Sequence, residues 1–163
     1  MKNILTLFTL LFCLQGFSQA KTDTAVYLRF PTIPQFTVYK APDSTAFSRE
    51  DLKKKKSVLF MVFSPDCEHC QHETEELLAH ISEFKNTQIV MVTYLPYEEM
   101  IAFYKNYKIA DYPQITMARD TKFFFPVFFK VINLPSIFLY DKRGNFKKAF
   151  EGSVKIESIA AEL

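Results

Sequence analysis

The chain has 163 residues, of which 48% are hydrophobic and 23% charged, and this suits one globular domain with a substantial core. Its 20 basic and 18 acidic residues give a formal net charge of +2, which argues against a nucleic-acid-binding protein. Glycine is scarce and no internal repeat is visible, so the chain is neither a linker-rich array nor a solenoid.

The N-terminal segment has the pattern of a secretory signal. Lys2 supplies the positive end, residues 4–14 form an apolar stretch, and small residues at Ser18 and Ala20 fit a cleavage point after either one. The apolar stretch is shorter than the roughly 20 residues of a membrane-spanning helix. We therefore expect a cleaved signal, with an uncleaved membrane anchor as the alternative.

These features divide the chain into three parts: a signal peptide over residues 1–20, an N-terminal extension over 21–33, and a folded domain over 34–163. We expect the mature protein to be periplasmic and monomeric. Contact with a membrane is expected only if the signal remains attached, and no nucleic-acid partner is expected.

The first half of the domain alternates between strand and helix patterns. An uninterrupted apolar run such as that at 58–63 is typical of a strand covered on both faces, and therefore of a parallel sheet. Ser48 followed by acidic residues favours a capped helical turn. The predicted elements are strands at 35–39, 57–63 and 88–94, a helical turn at 48–52, and helices at 67–84 and 96–107.

The second half begins after a break at Tyr112 and Pro113. It predicts a short helix at 121–131, a strand at 135–140, a hairpin turn at 141–145, a partner strand at 146–150 and a terminal helix at 155–163. Strand–helix–strand order requires crossover connections, so the fold class is α/β. The predicted sheet is mixed, with a parallel centre and an antiparallel hairpin at one side, and helices flank it.

Cys67 and Cys70 are the only cysteines that remain after signal removal. They lie at the predicted end of a strand and start of a helix, where unpaired N–H groups and the helix dipole stabilise a thiolate. A disulfide between them would close a very small loop, which stabilises a fold least. The pair therefore favours disulfide exchange over a structural bridge.

From about residue 34 to 154 the chain resembles the thioredoxin family, and most closely its exported TlpA/ResA-like branch. The resemblance is carried by Phe36-Thr37-Val38, Phe47-Ser48, Asp51-Leu52, Cys67-Glu68-His69-Cys70, Leu134-Pro135-Ser136-Ile137-Phe138-Leu139, Asp141 and Gly144. It implies a thioredoxin-like fold and a thiol–disulfide oxidoreductase without a cofactor. Cys67 would be the attacking sulfur and Cys70 the resolving one. The expected partners are protein thiols and disulfides, together with a redox partner protein that the sequence does not identify.

The resemblance also implies roles for residues outside the pair. Pro135 would be cis and face the cysteines, and the backbone of Leu134 would pair with an incoming peptide. Members of this branch often carry a glutamate three residues after the second cysteine, and Glu73 stands there. On a helix it shares a face with Cys70, so it is the candidate for shuttling the proton of Cys70; the alternative is a surface acid.

Asp66 and His69 are expected at the substrate-binding surface. A cationic His69 would favour the thiolate of Cys67, whereas the negative charges of Asp66 and Glu68 would disfavour it. The charges leave the redox direction open. The branch resemblance favours a reductant or exchange enzyme.

Three other functions compete with this one. Cys67, His69, Cys70 and His72 suit soft metals, so a copper-handling metallochaperone is one alternative, although the ligands form an incomplete site and no metal cofactor is expected. A thiol peroxidase is suggested by Ser64 three residues before Cys67, but Phe60 stands where a proline is expected. A non-catalytic partner module would not need both cysteines.

Two further segments have unusual composition. The aromatic run at 123–129 is interpreted as a helix covering the sheet, with Phe129 and Val131 in the core, or as a hydrophobic ledge near Pro135. The basic run at 53–56 is interpreted as a solvated loop before a buried strand, or as a docking patch.

Overall fold

The computed structural model describes residues 24–163, so the predicted signal peptide lies outside the described residues. In chain order the elements are α1 (Val26–Arg29), β1 (Thr37–Lys40), β2 (Ala46–Ser48), β3 (Ser57–Val62), α2 (Glu68–Ala79), β4 (Thr87–Thr93), α3 (Tyr97–Asn106), β5 (Ile115–Arg119), α4 (Phe124–Phe129), β6 (Ser136–Tyr140), β7 (Phe146–Glu151) and α5 (Ile156–Ala160). Single 3₁₀ turns occur at Arg49–Asp51, Ile81–Phe84 and Ile109–Asp111. None of the helices within this range has the length and apolar character that a membrane span requires.

Seven strands form one sheet in the order β2-β1-β5-β4-β3-β6-β7. The three central strands, β5, β4 and β3, are parallel, and β6 and β7 add an antiparallel hairpin beside β3. The predicted α/β class with a parallel centre is therefore confirmed. The sheet also carries a second antiparallel hairpin, β1–β2, on its other side, which the sequence patterns did not predict.

Strand β5 was missed between the predicted helix at 96–107 and the aromatic run. Its sequence is short and mixes Ile115 and Met117 with polar residues, so it shows neither a buried run nor a clean alternation. It is held as a strand by β4 on one side and β1 on the other. Tertiary pairing therefore decides its conformation.

The core lies on both faces of β3, whose side chains alternate between two clusters. Leu59 and Met61 pack with residues of α2, α3 and α5, whereas Val58 and Phe60 pack with residues of α1 and α4. Every residue of β3 and β4 is buried, as the apolar runs at 58–62 and 89–92 predict. β3 is therefore enclosed between two packed layers, between β4 and β6 in the sheet.

The aromatic run forms α4 and covers the sheet. The Phe129 ring stacks on Phe138 of β6 with the ring centroids 4.0 Å apart, and Phe125 is fully buried against Phe60. The prediction that Phe129 belongs to the core is confirmed, whereas Val131 is only partly buried. The exposed apolar side chains on this helix and at its start are those of Val127 and Phe123.

Asp120 defines where α4 begins. Its carboxylate, which is buried, accepts hydrogen bonds from the backbone N–H of Phe125 at 2.7 Å and of Lys122 at 3.1 Å. Phe123, the residue directly before the helix, has the left-handed φ of 54°. The Asp120 carboxylate thus supplies an acceptor for the N–H of Phe125, which lies in the first turn of α4 and has no intrahelical partner.

The segment before residue 34 packs against the domain. The ring of Tyr27 contacts Phe129, Phe138 and Phe146 at centroid distances of 5.7, 5.3 and 5.0 Å. The N–H of Ile33 donates to the carbonyl of Gly144 at 3.0 Å. Residues 24–33 are therefore in contact with the same core as the rest of the fold.

Candidate active site

The cysteine pair lies where β3 passes into α2. Cys67 is the residue before the first helical residue, and its N–H donates to the carbonyl of Ser64 at 3.2 Å, which closes a tight turn. The carbonyl of Cys67 accepts the N–H of Gln71 at 3.0 Å, the first bond of the helix. The side chain of Gln71 donates to the carbonyl of Pro65 at 2.8 Å and ties the turn to the helix. The sequence therefore places Cys67 at the helix N-terminus, as its position after an apolar run predicts.

The two thiols are free and differ in accessibility. Cys67 is partly exposed, whereas Cys70 is 0% exposed. Burial raises the pKa of Cys70; a hydrogen bond of 3.5 Å from the N–H of Ser64 opposes this rise, and Cys67 and Asp66 add to it. An external disulfide can thus reach Cys67 but not Cys70.

Leu134 and Pro135 lie against the first sulfur. The Leu134–Pro135 peptide bond is cis, and the Sγ of Cys67 lies 3.9 Å from the carbonyl oxygen of Leu134. The carbonyl of Pro135 accepts the N–H of Gly152 at 2.8 Å. Pairing of Val62 with Ser136, where β3 and β6 lie side by side, brings these distant segments together.

Glu73 is buried and not a surface acid. Only 2% of it is exposed, and its Oε2 accepts the N–H of Val154 at 3.1 Å. Within the described part of the chain its Oε1 has no hydrogen-bond partner. Burial raises the pKa of Glu73, Val154 and His72 lower it, and Glu76 adds to the rise.

The surroundings of Glu73 differ from those of Cys70. Glu73 lines a cleft of about 450 Å³ between α2 and the segment before α5, together with His72, Glu76, Ser153, Val154, Lys155, Ile156 and Glu157. No hydrogen bond between Glu73 and Cys70 occurs among residues 24–163. The polar groups that act on Cys70 are instead Ser64, Cys67 and Asp66.

Ser64 is a functional candidate that the sequence suggested only through a peroxidase-like spacing. It is 7% exposed, and its hydroxyl donates to the Oδ1 of Asp66. The hydroxyl is therefore directed to Asp66. The peroxidase interpretation would require it to be directed to Cys67. Asp66 and His69 are both exposed beside Cys67.

The candidate metal ligands do not converge. His69 and His72 are exposed on α2, whereas Cys70 points into the core. Over residues 24–163, no group of three or more His, Cys, Asp or Glu side chains is arranged to hold a metal ion. The structure therefore gives no support to the copper-handling alternative.

Known proteins resemble this chain in family pattern and fold. Residues 31–149 match the AhpC/TSA family. A secreted Mycobacterium tuberculosis disulfide oxidoreductase, homologous to E. coli DsbE, superposes with a TM-score of 0.66 at 16% identity, over 78% of this chain and 93% of that one. StoA from Bacillus subtilis gives a TM-score of 0.59 at 16% identity, over 80% of this chain and 98% of StoA.

The exposed lipoprotein thioredoxin of Streptococcus pneumoniae gives a TM-score of 0.58 at 19% identity, over 80% of this chain and 100% of that one. No curated protein matches this chain in sequence. The chain belongs to the AhpC/TSA family and has the fold of the thioredoxin-like thiol–disulfide oxidoreductases.

Proposed function

We propose that this protein is an exported thiol–disulfide oxidoreductase that exchanges disulfides with other exported proteins through Cys67 and Cys70. The observation that carries the proposal is the unequal exposure of the two sulfurs at one helix N-terminus: Cys67 is accessible and Cys70 is fully buried. An attacking sulfur must meet a substrate, whereas a resolving sulfur must reach only its neighbour.

The reaction proceeds in two exchanges. The Cys67 thiolate attacks a substrate disulfide, so that a mixed disulfide forms and one substrate sulfur leaves. Cys70 then loses its proton and attacks the Sγ of Cys67; the Cys67–Cys70 bond forms and the second substrate sulfur leaves, taking up a proton. The substrate gains two electrons and the protein loses them. A separate redox partner protein restores the dithiol.

Leu134 and Pro135 are proposed to receive the substrate. The carbonyl of Leu134 lies 3.9 Å from the Cys67 sulfur, so a peptide whose disulfide is under attack must lie beside this backbone. Extended peptides bind such backbone through main-chain hydrogen bonds. Asp66 and His69 are exposed and lie within two residues of Cys67 in sequence, so they are proposed to contact the substrate as well.

Glu73 is proposed to exchange a proton with Cys70. Its burial on the same helix as Cys70, the rise of its pKa caused by that burial, and the unpartnered Oε1 support this role, because a proton-exchanging carboxyl must be able to bind a proton in the folded protein. A Glu73→Gln variant should then slow the release of the second substrate sulfur while leaving the first exchange unchanged.

The proposed direction is reduction of substrate disulfides. Strong oxidants of this chemistry stabilise their reduced form. Here Asp66 and Glu68 add negative charge at the start of α2, which disfavours the Cys67 thiolate and therefore the reduced form. Measurement of the protein's equilibrium with glutathione gives the reduction potential and tests this direction.

Export is proposed from the N-terminal pattern of Lys2, the apolar stretch at 4–14 and the small residues at 18 and 20. The M. tuberculosis and S. pneumoniae proteins of similar fold, described as secreted and as an exposed lipoprotein, are consistent with this proposal. Mass spectrometry of the mature N-terminus would test the cleavage point.

A trapping experiment tests the function. Cys70→Ala removes the resolving sulfur, so partners should remain disulfide-bonded to Cys67 and be released by a reductant. The matched control, Cys67→Ser with Cys70→Ala, should trap nothing. If Cys67→Ser reduced a model protein disulfide at the normal rate, the proposal would be rejected. Assays of the same variants with hydrogen peroxide would separate a thiol peroxidase from a disulfide reductase.

A further inference from the structure

Ser64 contacts Cys70 and Asp66 at the same time. Its backbone N–H donates to the Sγ of Cys70 at 3.5 Å, and its hydroxyl donates to the Oδ1 of Asp66. Ser64 itself is buried, whereas Asp66 is exposed. The exposed carboxylate of Asp66 is thus hydrogen-bonded to Ser64, whose N–H contacts the buried sulfur of Cys70.

The groups around Cys70 act in opposite directions. Burial is the strongest effect and favours the thiol, and Cys67 and Asp66 also favour the thiol. The N–H of Ser64 favours the thiolate. Because Asp66 is exposed, water screens its charge, and its effect depends on how closely the side chain is held.

We propose that Ser64 fixes Asp66 as a negative charge beside Cys70, which slows the resolving step and prolongs the life of the mixed disulfide on Cys67. This inference rests on the proposed function. It makes Ser64 a positioning residue, because its side chain acts on Cys70 through Asp66.

A longer-lived mixed disulfide opens a second reaction. A free thiolate of the bound substrate can attack the substrate sulfur that is joined to Cys67; a new substrate disulfide forms and Cys67 leaves as a thiolate. No net electrons pass between protein and substrate in this branch. The protein would then rearrange substrate disulfides as well as reduce them, and Asp66 would shift the ratio of the two outcomes towards rearrangement.

The size of the effect follows from thiol reactivity. When the pKa of Cys70 falls by one unit, its thiolate fraction rises about tenfold while its nucleophilicity falls by about threefold, which leaves a net gain of about threefold. Asp66→Asn should therefore accelerate resolution by about threefold for each unit by which the pKa falls.

The two steps can be followed separately with a nitrobenzoate disulfide and the reduced protein. Attack by Cys67 releases the first coloured thiol, and attack by Cys70 releases the second. Asp66→Asn should speed the second phase by a larger factor than the first, because Asp66 directly precedes Cys67 and is also proposed to contact the substrate. Ser64→Ala should also speed the second phase, and Ser64→Thr should restore the normal rate. The double variant that combines Ser64→Ala with Asp66→Asn should be no faster than Asp66→Asn alone.

Glu68→Gln is the matched control, because Glu68 is an exposed acid at the same helix start. Its carboxylate is not hydrogen-bonded to Ser64, since the hydroxyl of Ser64 donates to Asp66. The effect of Glu68→Gln on the rate of the second phase should add fully to that of Ser64→Ala. A second phase that is unchanged or slower in Asp66→Asn would overturn the inference, and slowing would identify Asp66 as the proton acceptor of Cys70. Absence of the first phase in the unaltered protein would instead reject the proposed function.

The rearrangement branch has its own readout. A scrambled model protein such as ribonuclease should be rearranged to its active form by the unaltered protein, and Asp66→Asn should yield more reduced and less rearranged product. An unchanged product ratio would reject the link between Asp66 and rearrangement.

Discussion

The sulfur of Cys67 lies 3.9 Å from the carbonyl oxygen of Leu134, although 67 residues separate the two in sequence. The contact depends on the pairing of β3 with β6, whose last register pair, Val62 with Ser136, lies directly beside it. The accessible sulfur and the backbone proposed to receive the substrate are therefore fixed to adjacent strands of one sheet.

Alkylation should distinguish the two cysteines. In the native reduced protein iodoacetamide should modify Cys67 and leave Cys70 unmodified, because Cys70 is 0% exposed and burial raises its pKa. Peptide mass spectrometry after timed quenching measures this. In denaturant both cysteines should react, and equal labelling in the native state would contradict the described burial.

Glu73 should make stability depend on pH in a specific direction. Its pKa is raised in the folded protein above the ordinary value of 4.5, so the folded state favours the protonated carboxyl. This stabilisation is fully present below pH 4.5 and is lost as the pH rises through the raised folded pKa. The free energy of unfolding of the unaltered protein, measured relative to Glu73→Gln, should therefore fall as the pH rises.

Urea titrations of both proteins at several pH values test this prediction. Subtraction of the Glu73→Gln data removes the opposite trend from acids such as Asp51 and Asp141, whose pKa values are lowered by hydrogen bonds. A difference that stays constant with pH would show that Glu73 titrates normally.

Removal of the Asp120 carboxylate should destabilise the fold. In Asp120→Ala the buried N–H of Phe125 loses its acceptor, which should cost about 1–3 kcal/mol. Asp120→Asn retains one acceptor oxygen and should cost less. Chemical denaturation measures both, and Asp111→Ala, which alters an exposed acid, serves as the control.

Truncation of two residues of α4, Phe125 and Val127, should change the free energy of unfolding by very different amounts. Phe125→Ala removes a fully buried ring and should cost about 3–5 kcal/mol. Val127, which is 66% exposed, should tolerate alanine with a change within about 0.5 kcal/mol. Similar melting temperatures for the two variants would be incompatible with the described packing.

Much of the fold could be predicted because its central strands are buried on both faces. The apolar runs in β3 and in the middle of β4 predict buried parallel strands, and both are observed. β5 could not be predicted, because its short mixed sequence becomes a strand only between β4 and β1. The predicted helix at 67–84 ends earlier, at Ala79, and a 3₁₀ turn follows.

The site was predictable where chemistry depends on sequence spacing. Cys67 and Cys70 could be found from their separation and their place between strand and helix. The burial of Glu73 depends on the distant Val154, and no local pattern indicates that contact. The link between Ser64 and Asp66 depends on the turn geometry before α2, so the sequence pointed to Ser64 for a different reason.

The packing of Tyr27 limits how the leader can be removed. Its ring contacts Phe129, Phe138 and Phe146, so a peptidase that cut after residue 33 would remove one aromatic contact from each of these three rings. Either proposed cut, after Ser18 or Ala20, leaves Tyr27 and these contacts in the mature chain. A protein matured at either point would therefore keep the packing of α1 against the sheet face that α4 covers.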